Sequence, residues 1–170
     1  ASNFFELMGR DSLSTTVTPV TTETALGVPA IWAAVNFMSG TLAGLPLNIY
    51  RKQGDDRKKV TNTRLAKILH DAVNDELSSF DWRKGFFEGV FTGGRGLTYI
   101  ERNRATDQVL NLWPLDPTKV EVKRQDFRTT YVYKDTDGKL KTYDSSEIID
   151  LAFMRKADGI SHRGPIATNK

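Results

Sequence analysis

The chain has 170 residues, 26% of them charged, a net charge of +3 and no cysteine. Without cysteine there is no disulfide, thiolate metal site or cysteine nucleophile, and a reducing compartment fits. The length suits one domain with its own core, and acids and bases interleave along most of the chain, so the basic balance alone argues only weakly for nucleic acid.

Residues 1–23 read as an extended N-terminal arm. Phe4, Phe5, Leu7 and Met8 form an apolar knot, and the Ser/Thr run that follows has no helical period. No basic region precedes an apolar run, so no secretory signal is read there. The arm is expected to reach a neighbouring subunit or stay mobile rather than enter its own core.

From Thr24 to Tyr50 no residue is charged. Pro29, Asn36, Gly40, Gly44 and Pro46 break this stretch too often for a bilayer span, which needs roughly 20 mostly apolar residues. It reads as a core helix between Thr24 and Leu45 running into a strand at Pro46–Lys52. Ile31, Val35, Met38, Leu42 and Leu45 recur on one face, while Trp32, Ala34 and Phe37 make the other side apolar, which predicts a helix covered all round. Pro29 belongs in its first turn, with a start near Val28, and Gly44 and Pro46 end it.

The strand turns at Gly54-Asp55-Asp56, and Arg51, Lys52, Arg57, Lys58 and Lys59 concentrate the positive charge there. These residues have two readings. They could face DNA phosphates or a neighbouring subunit, or they form a solvated hairpin whose lysines discourage edge pairing. No interleaved aromatics mark a nucleic-acid platform.

A second helix is predicted over Thr63–Val73. A third opens at Ser78 or Ser79, where Asp81 takes the usual Glu place of a capping box. Gly85, Gly89 and Gly93 fall every fourth residue on this third helix, and Gly40 and Gly44 lie on the first. Glycine inside a helix costs up to ~1 kcal/mol against alanine. The spacing therefore predicts that the two helices meet closely through Gly40, Gly44, Gly85 and Gly89.

Past Gly93 the apolar period becomes two. Strands are predicted at Leu97–Arg102, Val109–Trp113, Val120–Lys123, Thr130–Lys134, Leu140–Tyr143 and Ile148–Phe153, with a hairpin loop at Asp135–Gly138. The fold class is thus α+β, with N-terminal helices packed on a β-rich half of short antiparallel strands.

Catalytic patterns are missing. His70 sits alone on a helix and His162 in a turn, with no paired-histidine spacing for a metal. Thr92–Gly96 reads T-G-G-R-G, but it follows a helix and lacks phosphate-loop spacing, so it reads as a helix stop and turn. The acids Asp55, Asp56, Asp126, Asp135 and Asp137 lie in turns. No serine stands in G-x-S-x-G. The residues argue neither for an enzyme nor for a cofactor or metal.

Spread collinearly over residues 18–166 are T-x-x-T-A-L (21–26), A-I-W-A-A-V-N-F-M-S (30–39), L-A-G-L-P-L-N-I-Y (42–50), L-A-K-I-L-H (65–70), G-R-G-L-T-Y-I (94–100), L-N-L-W-P-L-D-P-T-K-V-E-V (110–122) and S-S-E-I-I-D-L (145–151). Together they resemble the N-terminal part of the portal proteins of tailed double-stranded-DNA bacteriophages of the long-tailed type. Asp150 stands where that family usually has histidine, and S-H-R-G-P-I replaces a shorter S-P-I.

The resemblance implies a wing-like α+β domain at 24–157 and, at 158–170, the start of a connection to a stem region. It also implies a structural, non-enzymatic subunit of a ring, a dodecamer, at the capsid vertex. Its implied partners are its own copies, the terminase large subunit, the capsid protein, a head–tail adaptor and double-stranded DNA in the channel, with no membrane. The implied location is the virion, and the host cytoplasm during assembly. The mixed-sign segments Lys119–Arg128 and Lys134–Lys141, including Lys123 and Arg124, read equally as ordinary solvated strands or as part of a subunit interface, and the resemblance favours the interface. The alternative is a small α+β nucleic-acid- or protein-binding module unrelated to portals.

Overall fold

The computed structural model describes residues 21–166. The expected arm lies largely outside them. Its last part does not: Thr21 caps a short helix, α1 (Thr22–Leu26), so helical structure begins inside the stretch read as extended.

Gly27 and Val28 separate α1 from α2 (Pro29–Gly44), which has Val28 as N-cap and Pro29 in its first turn, where the missing N–H costs nothing. The uncharged stretch is thus two helices. A two-stranded hairpin follows, β1 (Ile49–Gln53) and β2 (Asp56–Val60). Next come α3 (Arg64–His70) and α4 (Ser79–Thr92). Ser78 caps α4 by accepting from Asp81 N–H at 3.0 Å. The Asp81 carboxylate accepts from the Ser78 hydroxyl at 2.6 Å, where the glutamate of a capping box would take the backbone N–H.

The β half contains β3 (Arg95–Arg102), β4 (Val109–Leu115), β5 (Val120–Gln125), β6 (Arg128–Lys134), β7 (Leu140–Asp144) and β8 (Ile148–Ala152), then two short strands, β9 (Met154–Arg155) and β10 (His162–Arg163). They form antiparallel sheets β4-β3-β8 and β5-β6-β7, with a separate β9–β10 pair.

β3 is the axis of the fold, buried from Arg95 to Thr98. Its period of two sends alternate residues to two layers. Thr98 accepts from Trp82 Nε1 on α4 at 3.0 Å. Leu97 joins Leu115, Ile148 and Tyr131 of the second sheet in one cluster, and Tyr99 lies against Tyr143 with ring centroids 4.5 Å apart. On the helical side, Trp82 packs with Ile68, Val73 and Leu112. Gly96 lets α4 lie this close: a Cβ there would stand 2.8 Å from the Phe86 carbonyl oxygen.

α2 packs on α4 and runs antiparallel to it: Arg83 Nη1, near the start of α4, donates to the Leu45 carbonyl at 2.6 Å, while Phe91, near its end, lies with Ile31 and Val35. The contact does not run through the glycine rows. A Cβ at Gly40, Gly44 or Gly85 would meet nothing within 4 Å, and Gly89 faces the Arg95 carbonyl of β3 at 3.1 Å. The buried face of α2 is Val35, Ser39 and Ala43. Gly40 and Gly44 each lie one residue on, about 100° round a helix of 3.6 residues per turn. Nor is α2 covered all round: Trp32 is 57% and Phe37 73% exposed.

Candidate functional site

The basic segment becomes the β1–β2 hairpin. Gly54 has φ +62° in a two-residue loop closed by Gln53 and Asp56. The register sets Arg51 opposite Lys58 and Lys52 opposite Arg57, like charges facing each other. Tyr50 to Lys59 are all exposed. No described ion pair includes Arg51, Lys52, Arg57, Lys58 or Lys59. Like-charge cross-strand pairs destabilise a sheet, and an isolated two-stranded hairpin is marginal in water.

Lys123 and Arg124 lie on β5, on a different hairpin and opposite Thr130 and Thr129. Lys123 Nζ stands 3.2 Å from Glu121, both exposed. Arg124 leans on its own chain, where Nη1 donates to the Asp158 carbonyl at 3.4 Å. The loop joining β5 to β6 is Asp126–Phe127, with φ +48° and +63°. Phe127 is 93% exposed.

Sequence reasoning missed a buried polar junction. Arg95 grips Asp150 on β8 with two hydrogen bonds, and its third donor reaches the Ile160 carbonyl at 2.9 Å. Tyr131 of the second sheet donates to Asp150 at 2.8 Å, and Arg155 donates to the same carboxylate at 3.2 Å. The carboxylate thereby ties both sheets to β9, and Arg95 adds the turn after it. Burial pushes Asp150 up, but the Arg95 and Tyr131 hydrogen bonds and the nearby cations outweigh it and hold it below the usual carboxylate range. Burial, then the bond to Asp150, raises Tyr131 to about 12. A fully engaged carboxylate offers neither a base nor a nucleophile. The signal in sequence was a lone charge inside I-I-D-L and an arginine between glycines.

Neither histidine is hydrogen-bonded to this carboxylate. His70 Nδ1 contacts Asp71 at 3.0 Å on the surface. His162 Nε2 lies 3.2 Å from the Gly93 carbonyl, and burial, with Arg95 nearby, lowers its pKa. Among the described residues no group of three or more potential ligands could hold a metal ion. None of their helices is long and apolar enough to cross a membrane. After β9 the chain turns back, with β10 pairing with β9 and Gly164 packed on Gly93 and Gly94. An apolar groove of about 660 Å³ opens between α2, the end of α4, Phe153 and Ile166.

Known sequences and folds bear on this arrangement. The family described as phage portal protein matches residues 29–170. The chain belongs to that family. The portal protein of Enterobacteria phage HK97 is 28% identical over 131 residues, 76% of this chain. The chain spans 30% of that relative's length. In fold it is similar to a chain in the neck of an empty GTA particle computed with C6 symmetry, with a TM-score of 0.66 and 14% identity over 89% of this chain and 41% of the other. An HK97 family phage portal protein from Corynebacterium diphtheriae gives a TM-score of 0.52 at 14% identity, covering 78% of this chain and 40% of that one. The described residues leave the β1–β2 and β5–β6 hairpins and the apolar groove open at the surface. The exposed hairpins and the apolar groove are therefore the candidate sites.

Proposed function

We propose that this chain is the wing portion of a portal subunit, a structural and non-enzymatic part of a ring at the capsid vertex of a tailed phage. The family match over residues 29–170 carries this reading. The neighbours in fold, a chain of a GTA particle neck and an HK97 family phage portal protein, and a surface that leaves so much of α2 exposed, support it.

In this reading residues 24–157 form the wing and 158–170 lead to a stem. The partners are its own copies, capsid protein, the terminase large subunit, a head–tail adaptor and the double-stranded DNA threaded through the ring. The mechanism is geometric: the ring orients the motor and later the tail while the genome passes. Its location is the virion vertex, after assembly in the host cytoplasm. Head-to-tail contact between different patches of one chain closes into a ring when the rotation closes, and the β5–β6 hairpin with Lys123 and Arg124 serves as one such patch.

Electron microscopy of the purified full-length protein tests this. Closed rings are expected, and reversing charge at Lys123 and Arg124 should reduce their yield while circular dichroism stays unchanged. A monomeric full-length protein at high concentration would overturn the reading.

A further inference from the structure

The groove beside α2 has a volume of about 660 Å³, a size that can bury a whole apolar ligand. Ile31, Met38 and Phe153 in its wall are 36%, 41% and 47% exposed, and no charged residue lines it. Apolar surface gathered into one hollow marks a place where something docks.

The chain both enters and leaves the described structure at this groove. Ala25 of α1 and Ile166, the last described residue, stand in its wall. Thr21, the first described residue, lies about one helical turn before Ala25. The residues before Thr21 and those after Ile166 therefore set out from its rim. The two continuations differ in chemistry. Residues 167–170 are Ala-Thr-Asn-Lys and bring no large apolar side chain. Residues 1–20 bring Phe4, Phe5, Leu7 and Met8 in one cluster, with Glu6 as the single charge inside it. In a helix Phe4, Leu7 and Met8 would share a side away from Glu6, and in a strand Phe5 and Leu7 would. In either case the carboxylate can stay in water while the apolar side is buried.

Reach favours the chain's own segment over any other occupant. As a flexible linker, residues 9–20 would span roughly 20 Å. The α2 wall of the groove, from Ala30 to Met38, is about 12 Å long. The cluster can arrive without stretching the chain, and so short a tether gives it an effective concentration in the millimolar range. A second copy must compete against that advantage.

We infer that Phe4, Phe5, Leu7 and Met8 of the chain's own N-terminal segment occupy the groove beside α2. The segment then neither enters the core nor leaves the domain, and it covers a flank of α2 that the rest of the fold leaves open. The inference goes beyond the ring reading and does not rest on it.

The absence of cysteine from the chain allows a pair to be introduced cleanly. N3C stands beside the cluster in sequence and A34C in the groove wall, and neither removes a large apolar side chain. Under a mild thiol oxidant this pair should close an intrachain disulfide at a rate independent of protein concentration. The same pair in a chain that also carries F4S, F5S, L7S and M8S keeps the tether but loses the anchors, and should close about tenfold more slowly. Equal rates would mean that the tether alone brings the thiols together, and would overturn the inference. Mixing singly substituted N3C and A34C chains tests a different owner of the groove. A serine-sensitive disulfide between chains that outpaces the intrachain one would give the groove to a neighbouring copy's segment and also overturn it. A second measurement needs no cysteine. The four-serine chain, with circular dichroism unchanged, should brighten the apolar-surface dye ANS several-fold more than the parent, because its groove is uncovered. Equal brightness overturns the inference. Rings of the full-length protein, present or absent, bear on the portal reading alone.

Discussion

Arg95 Nη2 and Nε meet the two carboxylate oxygens of Asp150 at 2.7 and 2.8 Å, with the side chains only 5% and 6% exposed. A pair so deeply desolvated is costly to break from one side, because the remaining charge is left buried without a partner. Asp150→Asn should therefore destabilise the fold by about 3–5 kcal/mol, while the double change Arg95→Met with Asp150→Leu should cost clearly less. Urea unfolding of the three proteins decides it; equal losses in the single and double variants would contradict the account.

Acid dependence follows from the same carboxylate. Its folded pKa lies below the ordinary value of about 3.9, so the unfolded chain binds the proton more readily. Its contribution to stability is present above that ordinary value and is lost as pH falls through the lower folded value. Asp150→Asn should flatten the stability profile in that acidic window and leave its shape near neutrality unchanged.

At the alkaline end the sign reverses. Tyr131 ionises at about 12 when folded and near 10 when unfolded. Its stabilisation is complete below the unfolded value and disappears as pH rises through the folded one. Tyr131→Phe should lose about 1.5–3 kcal/mol at neutral pH with the bond to a charged acceptor, and its stability should fall less steeply between roughly pH 10 and 12. Denaturant melts across that range give the two slopes.

Glycine positions divide into two kinds. Gly40 and Gly85 have open space where a Cβ would stand, so alanine there should stabilise by about 0.5–1 kcal/mol through helix propensity. Gly96 faces the Phe86 carbonyl oxygen at 2.8 Å, and alanine there should destabilise by about 1–3 kcal/mol. Thermal melts that place all three on the same side of the parent would refute the packing described.

On the basic hairpin, Lys58→Glu sets an acid opposite Arg51. The change should raise stability by about 0.2–1 kcal/mol at low salt and by less at high salt. A melting temperature insensitive to both would mean that the facing cations do not repel.

Much of the β half was legible because its strands alternate cleanly and its turns carry their own chemistry. Gly138 at φ +76° and the Ser78 cap are local features, and local features can be read from a few residues. The buried face of α2 was not legible. Apolar residues lie on every side of it, so periodicity could not choose, and the small residues Ser39 and Ala43 are what α4 selects. The glycine rows misled for the same reason: a regular spacing says which residues share a face, not whether anything touches it. The Arg95–Asp150 pair escaped because its halves are 55 residues apart and neither has an opposite charge beside it in sequence to mark a partner. Phe127 escaped because Asp126 marks a turn but no glycine follows it where a two-residue loop would normally hold one.

The Arg95 junction also sets an order of events during synthesis. Its acceptors arrive late, Asp150 after 55 further residues and the Ile160 carbonyl after 65. At about 5–20 residues per second, a ribosome supplies the last of them roughly 3–13 s after Arg95 itself. Until then the central strand carries an unmatched cation that resists dehydration. The full set of partners for Arg95 is therefore complete only after the final turn has been made.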